Sequence, residues 1–165
     1  MFSKDLGIDL GTIYTRLADP GQVILEEPTI VAIEVAEQKM VAVGSEARDM
    51  IGRVPDTIEV ARPLRNGVIA DYEVTQTLLS YLLRRVSGPM RFIRPRVMIS
   101  VPFGVTSVER REVYEAVMEA GSHEAYLIQQ PLAAALGIDL PIGSPSGYMV
   151  ICLGGGCTEA AVMAM

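Results

Sequence analysis

Between residues 5 and 43 apolar positions come in short runs, at 6–10, 13–18, 23–25 and 29–35, with breaks at Gly11-Thr12 and at Asp19-Pro20-Gly21. Runs of this length bounded by turn residues predict the strands of a β-meander. Residues 45–52 predict a short helix with Ser45 as N-cap and Gly52 just past its end. From 53 to 71 the chain holds Pro55, Pro63 and Gly67 with little periodicity, which predicts an irregular connection.

Beyond residue 71 the period lengthens. Val74, Leu78, Leu79, Leu82, Leu83 and Val86 recur at three- and four-residue spacing behind Asp71, so one apolar helical face with an acidic cap is expected. Thr106 and Glu109 have capping-box spacing ahead of Val113, Ala116, Val117 and Ala120, and Gly121 ends that helix. Pro131 suits the first position of a third helix, ahead of Leu132 to Leu136. Apolar runs at 97–101 and 125–128 are short enough to be buried strands, and strands separated by helices indicate an α/β layered sheet. Residues 148–153, the triplet Gly154-Gly155-Gly156 and residues 159–165 read as strand, glycine turn and strand.

Composition narrows the classes. With 165 residues the chain can bury a core without covalent staples, and two cysteines fit a reducing compartment. A net charge of −6 opposes nonspecific nucleic-acid binding, because a polyphosphate would meet a repulsive mean field. No apolar run approaches the roughly 20 residues that span a bilayer, and Met1-Phe2-Ser3-Lys4-Asp5 leads into a strand without a secretory apolar stretch. A cytoplasmic location is therefore expected. Half of the residues are apolar, a surplus that composition alone leaves unexplained.

Two segments share one design, an apolar strand, a glycine-bearing turn and a second strand: Ile8-Asp9-Leu10-Gly11-Thr12-Ile13-Tyr14-Thr15 and Ile151-Cys152-Leu153-Gly154-Gly155-Gly156-Cys157-Thr158-Glu159. Such turns can aim successive backbone N–H groups into one concavity and let the chain approach an anion closely, so each is a candidate phosphate clamp. Each alone also fits a purely structural hairpin turn. The G-x-x-x-x-G-K-[ST] loop is absent, which excludes a P-loop mechanism.

The ordered pair of loops, with Val101-Pro102 and residues 127–137 between them, resembles the actin and DnaK-type ATPase superfamily. Ala42-Val43-Gly44, Arg62-Pro63-Leu64, Gly67-Val68-Ile69-Ala70-Asp71, Arg94-Pro95-Arg96-Val97 and Gly104-Val105-Thr106-Ser107-Val108-Glu109 make the likeness closest to the MreB family of bacterial actins, over essentially the whole chain. The resemblance implies an actin-like (ribonuclease H-like) ATPase lobe, with a mixed sheet flanked by helices, a small inserted subdomain and an incomplete second lobe. The expected division is 1–32 and 72–146 for the first lobe, 33–71 for the inserted subdomain and 147–165 for the opening hairpin of a second lobe.

It implies further that ATP with Mg2+ binds between two lobes and that the proteins assemble into membrane-bound filaments serving the cell-wall elongation machinery. By the same resemblance Asp9, Gly11, Thr12, Ile13 and Tyr14 form the first phosphate loop, and Gly154, Gly155, Gly156, Cys157 and Thr158 form the second, with Glu159 behind it. Asp9 would hold Mg2+ through water, and Gln130 would orient the attacking water.

Three positions depart from the family pattern. Cys152 stands where an aspartate usually supports the Mg2+ hydration shell, and a neutral thiol lacks both the charge and the acceptor strength that a hard cation requires. Gln130 replaces a glutamate, so it can orient water by hydrogen bonding but cannot act as a general base. Tyr14 replaces a small polar residue and fills space beside the phosphates. Two outcomes stand at this point: a weakened ATP site, or one that has lost the nucleotide.

Cys152 and Cys157 lack histidine partners, which speaks against a zinc site. They would form a cross-strand disulfide if the hairpin paired them, or serve as small buried packing residues. His123 follows the helix ended by Gly121 and is expected on the surface. Arg84, Arg85, Arg91, Arg94 and Arg96 place five of the 14 basic residues within 13 positions, around Met90, Phe92 and Ile93. An apolar tip ringed by arginine suits an anionic membrane surface, each basic residue adding about 1 kcal/mol. The alternative is that Phe92 and Ile93 cap the sheet while the arginines are solvated. Two functions are therefore carried forward. One is a truncated MreB-like ATPase. The other is a noncatalytic interaction module that associates with itself or with a full-length homologue.

Overall fold

The computed structural model describes residues 4–87 and 94–164. Strands β1 (Asp5–Leu10), β2 (Tyr14–Asp19) and β3 (Gln22–Pro28) form the expected antiparallel meander. They join β9 (Arg96–Val101) and β10 (Glu124–Gln129), both parallel to β1, in a mixed five-stranded sheet of order β10-β9-β1-β2-β3.

Alternation along the strands decides what each face does. Leu6, Ile8 and Leu10 of β1, Leu17 of β2 and Val97, Ile99 and Val101 of β9 are buried on one face. They pack against Leu78, Leu79, Leu82 and Leu83 of α2 (Tyr72–Ser87) and Val113, Ala116 and Val117 of α3 (Ser107–Glu119). Each fully buried leucine contributes about 1.5–3 kcal/mol through loss of apolar surface to water. Intervening positions, among them Gly7, Asp9, Arg16, Met98 and Ser100, line a cavity on the opposite face.

The caps of the two long helices follow the sequence. Asp71 Oδ1 accepts from the Val74 amide at 3.0 Å. At α3 the Thr106 hydroxyl accepts from the Glu109 amide while the Glu109 carboxylate accepts from the Thr106 amide, a complete capping box. Helix α4 (Gln130–Gly137) begins one residue before the expected Pro131, which stands in its first turn.

The segment between meander and α2 holds more strands than its pattern suggests. β4 (Val31–Glu34), β5 (Lys39–Val43) and β6 (Ile58–Ala61) form a three-stranded sheet, and β7 (Leu64–Arg65) pairs with β8 (Val68–Ile69). Residues 53–71 are thus not merely irregular: three of these strands are two to four residues long, too short to show a period. The helix predicted over 45–52 is α1 (Ser45–Asp49), and Ser45 does not cap it. Its N-cap is Gly44, and the buried Glu27 of β3 supplies the acceptor instead, taking the Ser45 amide at 3.1 Å and hydroxyl at 3.3 Å.

The last two strands, β11 (Tyr148–Leu153) and β12 (Thr158–Met163), form a separate two-stranded sheet that packs on α4. Their register pairs Cys152 with Glu159 and Leu153 with Thr158, so the cross-strand disulfide considered above does not form. Both cysteines are free. His123 is on the surface, 4.0 Å from the Glu124 carboxylate.

Candidate functional site

Both glycine turns are closed in the same way. The Gly11 amide donates to the Tyr14 carbonyl at 3.2 Å, and the Gly154 amide donates to the Cys157 carbonyl at 2.9 Å. A Cβ on either glycine would stand 2.7 or 2.6 Å from that carbonyl oxygen, closer than any side chain tolerates. Glycine is therefore required by approach rather than by dihedral angle. The two turns meet tip to tip: a Cβ on Gly155 would run into Ile13, and one on Gly156 into Thr12. Among the described residues the amides of Thr12, Ile13, Gly155 and Gly156 have no backbone acceptor. Unspent amides clustered on touching glycine turns are what a phosphate cradle needs.

The first turn is held from three sides. Thr29 donates its amide to the Ile13 carbonyl at 2.8 Å and its hydroxyl to the Gly11 carbonyl at 2.7 Å. Arg62 Nη1 reaches the carbonyls of Thr12, Ile13 and Thr29 at 3.2–3.4 Å. The Gly67 amide, in the β7–β8 turn, donates to Thr12 Oγ1 at 2.9 Å. The second turn is tied to the five-stranded sheet through Glu159, whose Oε1 accepts from the Phe103 amide just past β9. The buried Oε2 of Glu159 finds no partner among the described residues.

A cavity of about 810 Å³ opens beside the touching turns. Its wall brings together Asp9, Gly11, Thr12, Ile13, Tyr14, Gln130, Cys152, Gly154, Gly155, Gly156 and Cys157. Thr158 is the exception among the expected loop residues: it is exposed, paired with Leu153, and outside the lining. Burial, the nearby Glu159 and Asp9 push the Cys152 thiol up, and burial followed by Glu159 does the same for Cys157. Both are neutral at pH 7.

Sequence reasoning missed Arg16, whose role depends on strand register. It stands opposite Asp9, with Nη1 3.4 Å from Asp9 Oδ2 and Nε 2.6 Å from Glu26 Oε2. Its guanidinium lies 5.8 Å from the centroid of the Tyr14 ring. Asp9 Oδ1 accepts from Ser100 at 3.0 Å. Both carboxylate oxygens are thus engaged, and Cys152 adds no charge. Among the described residues no group of three or more His, Cys, Asp or Glu side chains gathers to hold a metal. This donor set does not fit Mg2+, which binds through several hard oxygen ligands and retained waters.

The arginine cluster is also less available than its spacing suggests. Arg85 is paired with Glu27, and Arg96 grips Asp5 with two hydrogen bonds of 2.7 and 2.8 Å. Of the apolar tip, Met90, Arg91, Phe92 and Ile93 lie outside the described residues, and Arg94 is exposed. Among the described residues no helix is long and apolar enough to cross a membrane.

Comparison with known proteins places this geometry. The MreB/Mbl protein family matches residues 3–165. The chain belongs to the MreB/Mbl family. The cell shape-determining protein MreB of Pasteurella multocida is 45% identical across the whole chain, which covers 49% of that protein. The cell shape-determining protein Mbl of Bacillus subtilis is 42% identical, again across the whole chain and 50% of its own length. The crystal structure of MreB5 of Spiroplasma citri bound to ADP superposes with a TM-score of 0.87 and 31% identity, over 98% of this chain and 49% of that one. The actin-like fold is thereby established, and the chain spans about half the length of the MreB and Mbl relatives it matches.

Proposed function

We propose that the chain acts as the first-lobe half of an MreB-type cytoskeletal protein, contributing the phosphate clamp of an ATP site and a surface for filament assembly at the cytoplasmic side of the cell membrane. The observation that carries this reading is the tip-to-tip meeting of two identically closed glycine turns above a cavity walled by Asp9 and Gln130. MreB5 binds ADP in its crystal structure, and the same fold underlies the likeness. In this reading residues 1–32 and 72–146 form the first lobe, 33–71 the inserted subdomain, and 147–165 the start of the second lobe.

ATP, when bound, would supply the phosphoanhydride whose cleavage drives filament turnover. The chain's part is to hold phosphate oxygens on the amides of Thr12, Ile13, Gly155 and Gly156, and to orient water through the Gln130 amide. Gln130 can direct a water but cannot take its proton, so turnover would be slow. The test is an amide NMR titration with ATP. Shifts confined to residues 11–14 and 154–157, with a dissociation constant on the order of millimolar, support the clamp; no shift there refutes it. Submicromolar affinity would show that adenine and ribose contacts are already present in this half.

A second reading, a noncatalytic module that associates with itself or with an MreB-like partner, is favoured by one surface. Met149, Ile151 and Leu153 of β11 and Val162 of β12 are 62, 58, 82 and 70% exposed on a two-stranded sheet. Such a sheet is marginal alone, and its open edges invite pairing. Sedimentation equilibrium without nucleotide distinguishes the readings: self-association abolished by Leu153→Asp supports the module. Membrane contact by the tip at 90–93 is part of the first reading, and a Phe92→Ser/Ile93→Ser double substitution should abolish sedimentation with anionic liposomes.

A further inference from the structure

Asp9 and Arg16 are the only charged side chains, among the described residues, that line the cavity beside the glycine turns. Their charges cancel. The two thiols in the wall, Cys152 and Cys157, are neutral. A polyphosphate entering here meets one carboxylate in the wall, with Glu26 behind it, and a cation that is already in place.

Arg16 is set for that task by its neighbours. The β1–β2 register puts it opposite Asp9, on the face that looks into the cavity. Glu26, which does not line the cavity, holds Nε from outside at 2.6 Å, and the Tyr14 ring stands 5.8 Å from the guanidinium. The hydrogen bonds to Glu26 and Asp9 use Nε and Nη1, and the Asp9 contact at 3.4 Å is the looser of the two. Among the described residues the Nη2 donors have no partner and remain for an incoming oxygen. A guanidinium stays charged throughout the physiological range and presents paired N–H groups that match phosphate geometry. A divalent ion at Asp9 would stand beside this fixed positive charge, with the neutral Cys152 thiol and no second carboxylate in the wall, and both features weaken it.

We propose that Arg16 is the resident cation of this cleft, so that phosphate groups are bound there without a divalent metal ion. The inference rests on the reading that the cleft takes phosphate at all, and the experiment separates the two. Pyrophosphate is titrated into the 15N-labelled chain, once with EDTA and once with excess Mg2+, and the backbone amides are followed together with the Arg16 Nε–Hε resonance.

The expected result is that residues 11–13 and 154–156 and the Arg16 side chain shift together in EDTA, with Mg2+ changing the dissociation constant by no more than about twofold. Arg16→Leu should weaken binding in EDTA about tenfold or more, and Arg16→Lys should recover part of it. Loop shifts that need Mg2+, or binding in EDTA that Arg16→Leu leaves intact, would overturn the role of Arg16 while leaving the clamp standing. No loop shift in either condition would overturn both. The wild-type comparison needs no substitution, so its outcome is independent of how the variants fold.

Discussion

The first glycine turn depends on a buried hydroxyl pair. Thr29 and Thr15 are both fully buried, with their Oγ1 atoms 2.8 Å apart. Thr29 has a single hydroxyl proton, and it goes to the Gly11 carbonyl at 2.7 Å. Thr15 must therefore donate to Thr29. Thr29→Val keeps the shape and removes the relay, stranding the Thr15 hydroxyl and the Gly11 carbonyl together. Each stranded buried group costs about 1–3 kcal/mol, and because the Gly11 carbonyl is only partly buried the sum should be about 2–4 kcal/mol. At about 2–4 °C per kcal/mol for a chain of this size, the melting temperature should fall by roughly 4–16 °C.

Urea unfolding followed by circular dichroism measures the loss. Amide exchange at Gly11 and at position 29, whose N–H bonds close the turn, should accelerate in parallel. Thr15→Val/Thr29→Val then provides the internal check. With both hydroxyls gone only the carbonyl is stranded, so the double variant should be more stable than the sum of the single losses by about 1–2 kcal/mol. A Thr29→Val loss below about 0.5 kcal/mol, or strict additivity in the double variant, would refute the assignment of the relay as the clamp of this turn.

Titration offers further checks. The Arg96 guanidinium lowers the Asp5 carboxyl below its ordinary 3.8, and the Thr106 amide and hydroxyl lower Glu109 below its ordinary 4.5. Their stabilising effect is thus present above those ordinary values and lost as pH falls through the lower folded ones, so the urea midpoint should drop on the acid side of about pH 4, less steeply in Asp5→Asn and Glu109→Gln. Burial, with the hydrogen bond to Glu119 next, pushes the Tyr72 phenol up to about 12, so its ionisation in an absorbance titration should fall well above the ordinary 10.0. Stability tied to the neutral phenol is full below the ordinary 10.0 and lost as pH rises toward 12, a loss that Tyr72→Phe should remove. Raised thiol pKa values predict that Cys152 and Cys157 alkylate more slowly than free cysteine at pH 8, and their register predicts no intramolecular disulfide under mild oxidation, as read by mass spectrometry.

Features that depend on neighbours along the chain were legible in the residues themselves. The apolar stripe of α2, the Thr106–Glu109 box, the meander and both glycine hairpins each follow from spacing within one or two turns of chain, and the order of the hairpins carried the family likeness. The short strands β5 to β8 were not legible as a set, since two to five residues between prolines and glycines leave no measurable period. Tertiary structure alone decided which charges meet. Arg85 finds Glu27 58 positions away, and Arg96 finds Asp5 at a separation of 91. The cysteines are kept apart by a register that sets Cys152 opposite Glu159, and Arg16 becomes part of the cleft because the same kind of register sets it opposite Asp9. Local pattern decides which element forms, because propensity and burial periodicity act over a few residues. Electrostatic pairing depends on distances of a few ångströms between strands, and those exist only once the sheet has closed.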